Sequence, residues 1–208
     1  MSAAEQLACG IAALGLNTPA ASQRKLLDYI ELIARWNRVH NLTAIRDPLQ
    51  MVSHHLLDSL AVVPHVAAQQ VLDVGSGAGL PGIPLAIQWP QAQVTLLDAN
   101  HKKAAFMRQA LIELGINNAV VICERIENWR PTRAFELVIT RAFSAINKFV
   151  AQAGHTCLPG GMLAAMKGTD PAAELAQLPP EFRVRKIVPL AVPGLDAERH
   201  LVIIEHRG

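Results

Sequence analysis

Residues 71–82 read Val-Leu-Asp-Val-Gly-Ser-Gly-Ala-Gly-Leu-Pro-Gly. A short apolar run enters alternating glycines, and Pro81 is suited to the first turn of a helix. Glycines let such a turn take positive φ and let a ligand approach the backbone with no Cβ in the way. The opening turn of the helix adds unpaired N–H groups. A strand, a bare turn and a helix in that order predict a ligand-binding unit of an α/β sheet. No Gly-Lys-Ser/Thr follows, which excludes a Walker phosphate loop.

The rest of the chain agrees with this unit. Short β-rich runs at Val71–Val74, Gln93–Leu97, Ala119–Ile122, Phe135–Thr140 and Met162–Met166 alternate with helical stretches near 81–88, 101–114 and 144–157. That alternation predicts parallel strands with crossover helices. The tail differs. Arg183–Ala191 and His200–His206 are joined through Pro193-Gly194-Leu195-Asp196, too short for a crossover, so an antiparallel pair is expected. Before residue 67 the chain reads as helices. Ser2 and Glu5 form a capping box before a helix that stops at Gly15. Thr18-Pro19 offers a cap and first-turn proline before the stripe Leu26, Leu27, Ile30 and Ile33, and Asp47-Pro48 repeats the signal before a third helix ending near Pro64. Two units are expected: a helical extension over 1–66 and a Rossmann-like domain over 67–208.

Of 208 residues, 51% are hydrophobic, which excludes disorder, and the net charge of +2 excludes binding to nucleic acid by bulk charge alone. The excess is local: residues 99–150 carry eight basic and four acidic groups. Cys9, Cys123 and Cys157 are odd in number and widely spaced, so they read as reduced thiols. With no membrane-length apolar run and no secretory signal, a cytoplasmic protein is expected.

Two glycine registers compete. Gly77 to Gly82 fits the GxGxxG spacing of dinucleotide sites. Gly75-Ser-Gly77-Ala-Gly79, preceded by Asp73, instead matches the S-adenosylmethionine loop. The ligands differ in charge: a dinucleotide brings a pyrophosphate, whereas S-adenosylmethionine brings an ammonium and a sulfonium. An anionic Asp73 at the pocket lip favours the cation. Asp98, at the end of the second strand, is placed to accept both hydroxyls of a ribose, which serves either ligand. Glu124-Arg-Ile126-Glu127 follows the third strand, where an adenine would lie, and reads equally well as a polar turn.

The helical region carries Trp36-Asn37-Arg-Val-His-Asn41-Leu42-Thr43-Ala-Ile-Arg46-Asp47-Pro48 and then His55-Leu-Leu-Asp58-Ser59-Leu60. Together with Gly75–Pro84, Thr140-Arg141-Ala142-Phe143 and Met166-Lys167-Gly168, these segments resemble the 16S ribosomal RNA methyltransferase G family, also called glucose-inhibited division protein B. The likeness runs from about residue 24 to the C-terminus. It implies a class I methyltransferase fold with a mostly parallel seven-stranded sheet ending in a hairpin.

It also implies methyl transfer from S-adenosylmethionine to N7 of a guanine in the 530 loop of 16S RNA, within the small ribosomal subunit. Gly75, Leu80, Ile126, Glu127 and Arg141 would be cofactor contacts, beside Asp73, Gly77, Gly79 and Asp98 from the loop reading. Guanine N7 carries a free lone pair, so alignment rather than a general base is the expected task. Arg141, past the fourth strand, is the expected catalytic residue, at the cofactor carboxylate or the guanine O6 edge. Phe143 is a candidate to stack on the target base, although a phenylalanine is more often a core residue. RNA contacts are sought at Arg35, Arg38, Arg46 and Lys167, the last being the best single candidate. His54, His55 and Asp58 read as packed or capping groups, so no metal is expected, and a monomer is expected. The rivals are a methyltransferase of proteins or small molecules, a nicotinamide-dependent oxidoreductase, and a non-catalytic RNA-binding module.

Overall fold

The computed structural model describes residues 1–143, 145–168 and 178–207. Helices α1 (Ala3–Ala13), α2 (Ala20–His40), α3 (Pro48–Met51) and α4 (Asp58–Leu60) precede the first strand. Then come β1 (Gln70–Val74), α5 (Gly82–Gln88), β2 (Gln93–Leu97), α6 (His101–Glu113) and β3 (Ala119–Ile122). The chain continues through β4 (Phe135–Thr140), α7 (Ile146–Ala153), β5 (Cys157–Lys167), β6 (Phe182–Pro189) and β7 (His200–His206).

The seven strands lie in the order β3-β2-β1-β4-β5-β7-β6. The pairs β1–β2, β2–β3, β1–β4 and β4–β5 are parallel, and β5–β7 and β6–β7 are antiparallel. The expected mostly parallel sheet with a terminal hairpin is therefore what forms. Its crossover order reverses between β1 and β4, which is where open α/β sheets hold ligands.

Side-chain alternation explains why the sheet is covered on both faces. Leu137 and Ile139 of β4 and Leu201 and Ile203 of β7 pack toward the N-terminal helices, α5 and α6. Val138, Val202 and Ile204 turn to the opposite face, where α7 supplies Ile146, Phe149 and Val150. Helix α2 buries Leu26, Tyr29, Ile30, Leu32 and Ile33 in the first of these layers. Each such aliphatic side chain stabilises the fold by about 1.5–3 kcal/mol, which ties the helical region to the sheet.

The caps show which local signals hold. Ser2 and Glu5 make the expected capping box, and Asp47 caps α3 through the Leu49 N–H. Thr18 does not cap α2. Pro19 takes that position, and the Thr18 hydroxyl donates to Gln88 Oε1 at 2.7 Å, anchoring the α2 entry to α5. Pro81 precedes α5 as its N-cap rather than sitting in its first turn. The expected helix over 144–157 is shorter: Ser144 lies outside the described residues, α7 ends at Ala153, and β5 begins at Cys157. A register shift between Phe135 and Leu137 lets this longer β5 pair with β4 at both of its ends.

The third expected helix is interrupted. Between α3 and α4, residues Val52–Leu57 form a π-helical turn. Such wide turns are costly and concentrate at functional sites. This one carries His54 and His55 and leads into Asp58.

Candidate functional site

Three clefts meet at the C-terminal ends of β1 and β4. The first, of about 340 Å³, is lined by Gly75, Asp98, Ile126, Glu127, Phe143 and Lys148 among others. The second, of about 180 Å³, lies over Gly75 to Ala78 and Leu80, with Thr43, His55 and Arg141 opposite. The third, of about 310 Å³, is walled by Ile45, His54, His55, Asp58, Arg141, Met166, Lys167, Gly168 and Arg199. Gly75 belongs to the first and second, and Arg141 and His55 to the second and third, so the three form one continuous track.

The glycine loop has the conformation its composition requires. Gly75 sits at φ +72°, and a Cβ there would stand 2.7 Å from the Ala142 Cβ. The closeness of β1 and β4 at their ends therefore demands glycine twice over. Gly75 and Ser76 donate their N–H groups to the Leu97 carbonyl. Gly77 donates its N–H to Asp98 Oδ2 at 2.8 Å, and Asn100 donates to Asp98 Oδ1 at 2.8 Å. Asp98 thus organises the loop and stands at the edge of the first cleft, with lone pairs beyond those two bonds. From below, the Tyr29 hydroxyl of α2 donates to the Ala78 carbonyl.

Asp73 corrects the expectation of an anionic pocket lip. Its side chain is fully buried beneath the loop and lines none of the three clefts. Oδ2 accepts the Gly82 N–H at 2.9 Å, while Oδ1 is buried and has no hydrogen-bond partner among the described residues. Burial pushes its pKa up to about 7, against the pull of the Gly82 N–H and Arg141. Asp73 therefore braces the start of α5 from inside, half neutral near pH 7. Gly79 likewise lies under the loop, packed against Ile83 and Tyr29.

Arg141 has two roles in the geometry. Nη1 donates to the His54 carbonyl at 3.1 Å and to Asp58 Oδ2 at 3.0 Å. The other oxygen of Asp58 accepts Arg199 Nε at 3.0 Å. Asp58 is 2% exposed, so one buried carboxylate carries two guanidinium groups. His55 is buried alongside, its Nε2 3.0 Å from the Thr43 hydroxyl. Burial and the Arg141 charge lower its pKa to about 4, so the ring is neutral at pH 7.

The remaining expected residues divide. Leu80, Ile126, Glu127 and Lys167 all line the track. Phe143 lies in the first cleft against Phe149, ring centroids 5.3 Å apart, and does not line the second or third. Arg35 is drawn away: it pairs with Glu113 at 2.7 Å in a groove between α2 and α6. Arg38 and Arg46 are exposed and line none of the three clefts. Sequence reasoning missed Arg199, which stands 141 residues from Asp58 and carries no local signal. It also gave Asp58 only a packing or capping role, and it missed Tyr29, whose hydroxyl is hidden inside an apolar helix stripe.

Sheet order and glycine loop together define a class I methyltransferase fold. Solved structures agree. A putative O-methyltransferase from Klebsiella pneumoniae superposes with TM-score 0.61 at 14% identity, covering 95% of this chain and 94% of that one. An S-adenosylmethionine-dependent methyltransferase from Aquifex aeolicus gives TM-score 0.58 at 19% identity, over 80% and 97%. The chain belongs to the rRNA small subunit methyltransferase G family (GidB), whose model matches residues 22–202. Ribosomal RNA small subunit methyltransferase G of Nitrosospira multiformis is 53% identical over all of both chains. Its namesake from Neisseria meningitidis is 50% identical over 98% of each.

Proposed function

We propose that this protein transfers a methyl group from S-adenosylmethionine to N7 of a guanine in 16S ribosomal RNA of the small subunit. The observation that carries this reading is the single track of three clefts at the β1/β4 ends, in a chain of this family. The residues present suit the cofactor. Asp98 offers a carboxylate at the first cleft for ribose hydroxyls, and Ile126 and Phe143 give apolar surface for a purine face. Gly75 leaves bare backbone where the first two clefts join, and Arg141 supplies a cation for a carboxylate at the second.

When bound, S-adenosylmethionine supplies a methyl group on an electrophilic sulfonium. The chain's own contribution is placement. Guanine N7 is unprotonated at neutral pH, so no residue need remove a proton before attack, and holding the reactants in line accounts for the acceleration. The cysteines fit this division of labour. Cys9, Cys123 and Cys157 line none of the three clefts, and burial pushes the Cys157 thiol up to about 12, too high for a nucleophile. His55, neutral and held by Thr43, lies where the second and third clefts meet, beside the path of an incoming base.

A cytoplasmic monomer acting on the ribosomal subunit, with no metal, completes the proposal. Among the described residues, no helix is long and apolar enough to cross a membrane. The test is to map N7-methylguanine in 16S RNA from cells with and without the gene. One modified guanine should vanish on deletion and return with the wild-type gene but not with Gly75→Asp. Methylation unchanged by deletion overturns the reading.

A further inference from the structure

The side chain of Arg141 is set from outside the sheet that carries it. Its backbone is fixed first. The Thr140 hydroxyl donates to the Val74 carbonyl at 2.7 Å and accepts the Ala142 N–H at 3.1 Å, which pins the turn after β4 to the end of β1. An arginine on a fixed backbone still has several rotatable side-chain bonds, so its head group needs anchors of its own.

Those anchors come from the π-helical turn and the residue after it. In a regular α-helix the Asp58 N–H would bond to the His54 carbonyl. Here it goes to the Ser53 and His55 carbonyls, and the His54 carbonyl accepts Arg141 Nη1 at 3.1 Å. Asp58 Oδ2 accepts the same nitrogen at 3.0 Å. The wide turn, costly in itself, thus presents a carbonyl and a carboxylate to one guanidinium nitrogen. Asp58 is held in its turn, because Oδ1 accepts Arg199 Nε at 3.0 Å and the residue is 2% exposed. A carboxylate fixed from both sides fixes the arginine it binds.

Arg141 borders the second cleft as well as the third, whereas Asp58 lines only the third of the three. We infer that Asp58 is a positioning residue for the cofactor: with the His54 carbonyl, it holds the Arg141 guanidinium where that group meets the cofactor's carboxylate. The inference rests on the cofactor reading above and adds to it the group that aims the arginine. Charge and position predict opposite signs for Asp58→Asn. On charge alone, losing an anion should tighten the binding of a carboxylate. On position, binding should weaken, because the amide keeps one acceptor and turns its NH2 toward one of the two guanidinium groups.

The test compares two ligands by calorimetry. S-adenosylhomocysteine carries the carboxylate, and methylthioadenosine is a nucleoside thioether of the same kind without the amino-acid end. Asp58→Asn should bind S-adenosylhomocysteine about tenfold more weakly, the scale of a lost hydrogen bond to a charged group, and methylthioadenosine as the wild type does. Asp58→Glu keeps the charge, moves it by one methylene and should show a smaller loss with the same selectivity. Arg141→Gln should lose S-adenosylhomocysteine affinity by itself, and adding Asp58→Asn to it should change neither affinity further.

S-adenosylhomocysteine affinity unchanged or raised in both Asp58 variants overturns the inference. Equal losses of the two ligands overturn it too, as does an undiminished effect of Asp58→Asn in the Arg141→Gln background, because Asp58 would then support the fold and not the arginine. Where Asp58→Asn lacks native circular dichroism, Asp58→Glu decides by the same comparison of ligands. Wild-type protein that binds neither ligand overturns the methyltransferase reading itself, and the inference with it.

Discussion

The backbone N–H of Gly77 and the carboxylate of Asp98 are joined by a 2.8 Å hydrogen bond that ties the glycine loop to the end of β2. The same carboxylate holds Asn100, the N-cap of α6, so one side chain sets the loop, the strand end and the helix start. Asp98→Ala should cost about 1.5–3 kcal/mol of cofactor binding, the scale of a hydrogen bond to a charged group. Titration calorimetry with S-adenosylhomocysteine should show affinity lower by about tenfold or more. Asp98→Asn should fall between, since the amide keeps one acceptor. Wild-type affinity in both variants would refute the assignment.

Gly75→Ala tests the loop more sharply. Its φ of +72° costs an alanine about 1–2 kcal/mol, and the 2.7 Å approach to the Ala142 Cβ forces β1 and β4 apart. The variant should remain folded by circular dichroism, melt a few degrees lower and bind S-adenosylhomocysteine at least tenfold more weakly.

Tyr29→Phe removes a contact from beneath the loop at a residue that lines none of the three clefts. The Ala78 carbonyl, in a residue 4% exposed, loses its Tyr29 donor. The expected loss is about 1–3 kcal/mol of stability, which corresponds to several degrees in the melting temperature of a chain this size. Scanning calorimetry measures it. An unchanged melting temperature would mean that α2 does not support the loop.

Two buried groups give opposite pH dependences. The folded-state pKa of Asp73 is raised to about 7, so the folded state holds a proton that the unfolded chain releases near its ordinary 3.8, and stability falls as pH rises between those values. His55 is depressed to about 4 from 6.5, so the unfolded chain takes up a proton that the folded one refuses, and stability falls as pH drops through that window. The two slopes oppose each other between about pH 4 and 6.5. Asp73→Asn should therefore expose a steeper loss of stability toward acid. His55→Gln should expose a loss toward neutral pH that levels off above about 7. Urea midpoints from pH 4 to 8 check both, and parallel curves for wild type and variants would contradict the two burial arguments.

The strands were the most legible part of the chain. β2, β3, β4 and β7 begin and end where their apolar runs do; for β4 and β7 the reason is burial on both faces, which leaves little freedom in composition. The glycine loop was legible for a similar reason: positive φ and close backbone approach leave glycine as the fitting residue. Helix caps were less so. Ser2 and Asp47 cap as read, while Thr18 turns to Gln88, a partner 70 residues away.

What the sequence determined by itself, then, was the order of strands and helices, the bare-backbone turn and the family that its motifs resemble, all of which depend on near neighbours in the chain. Only the tertiary structure decided that Asp73 lies beneath the loop instead of at its lip, because burial depends on how α5 packs over β1 and not on the spacing of an acid from a glycine. Only the tertiary structure joined Asp58 of the helical region to Arg141 after β4 and Arg199 before β7. Charges that meet from three distant segments acquire their pairing, their desolvation and their free edges when the sheet brings those segments together.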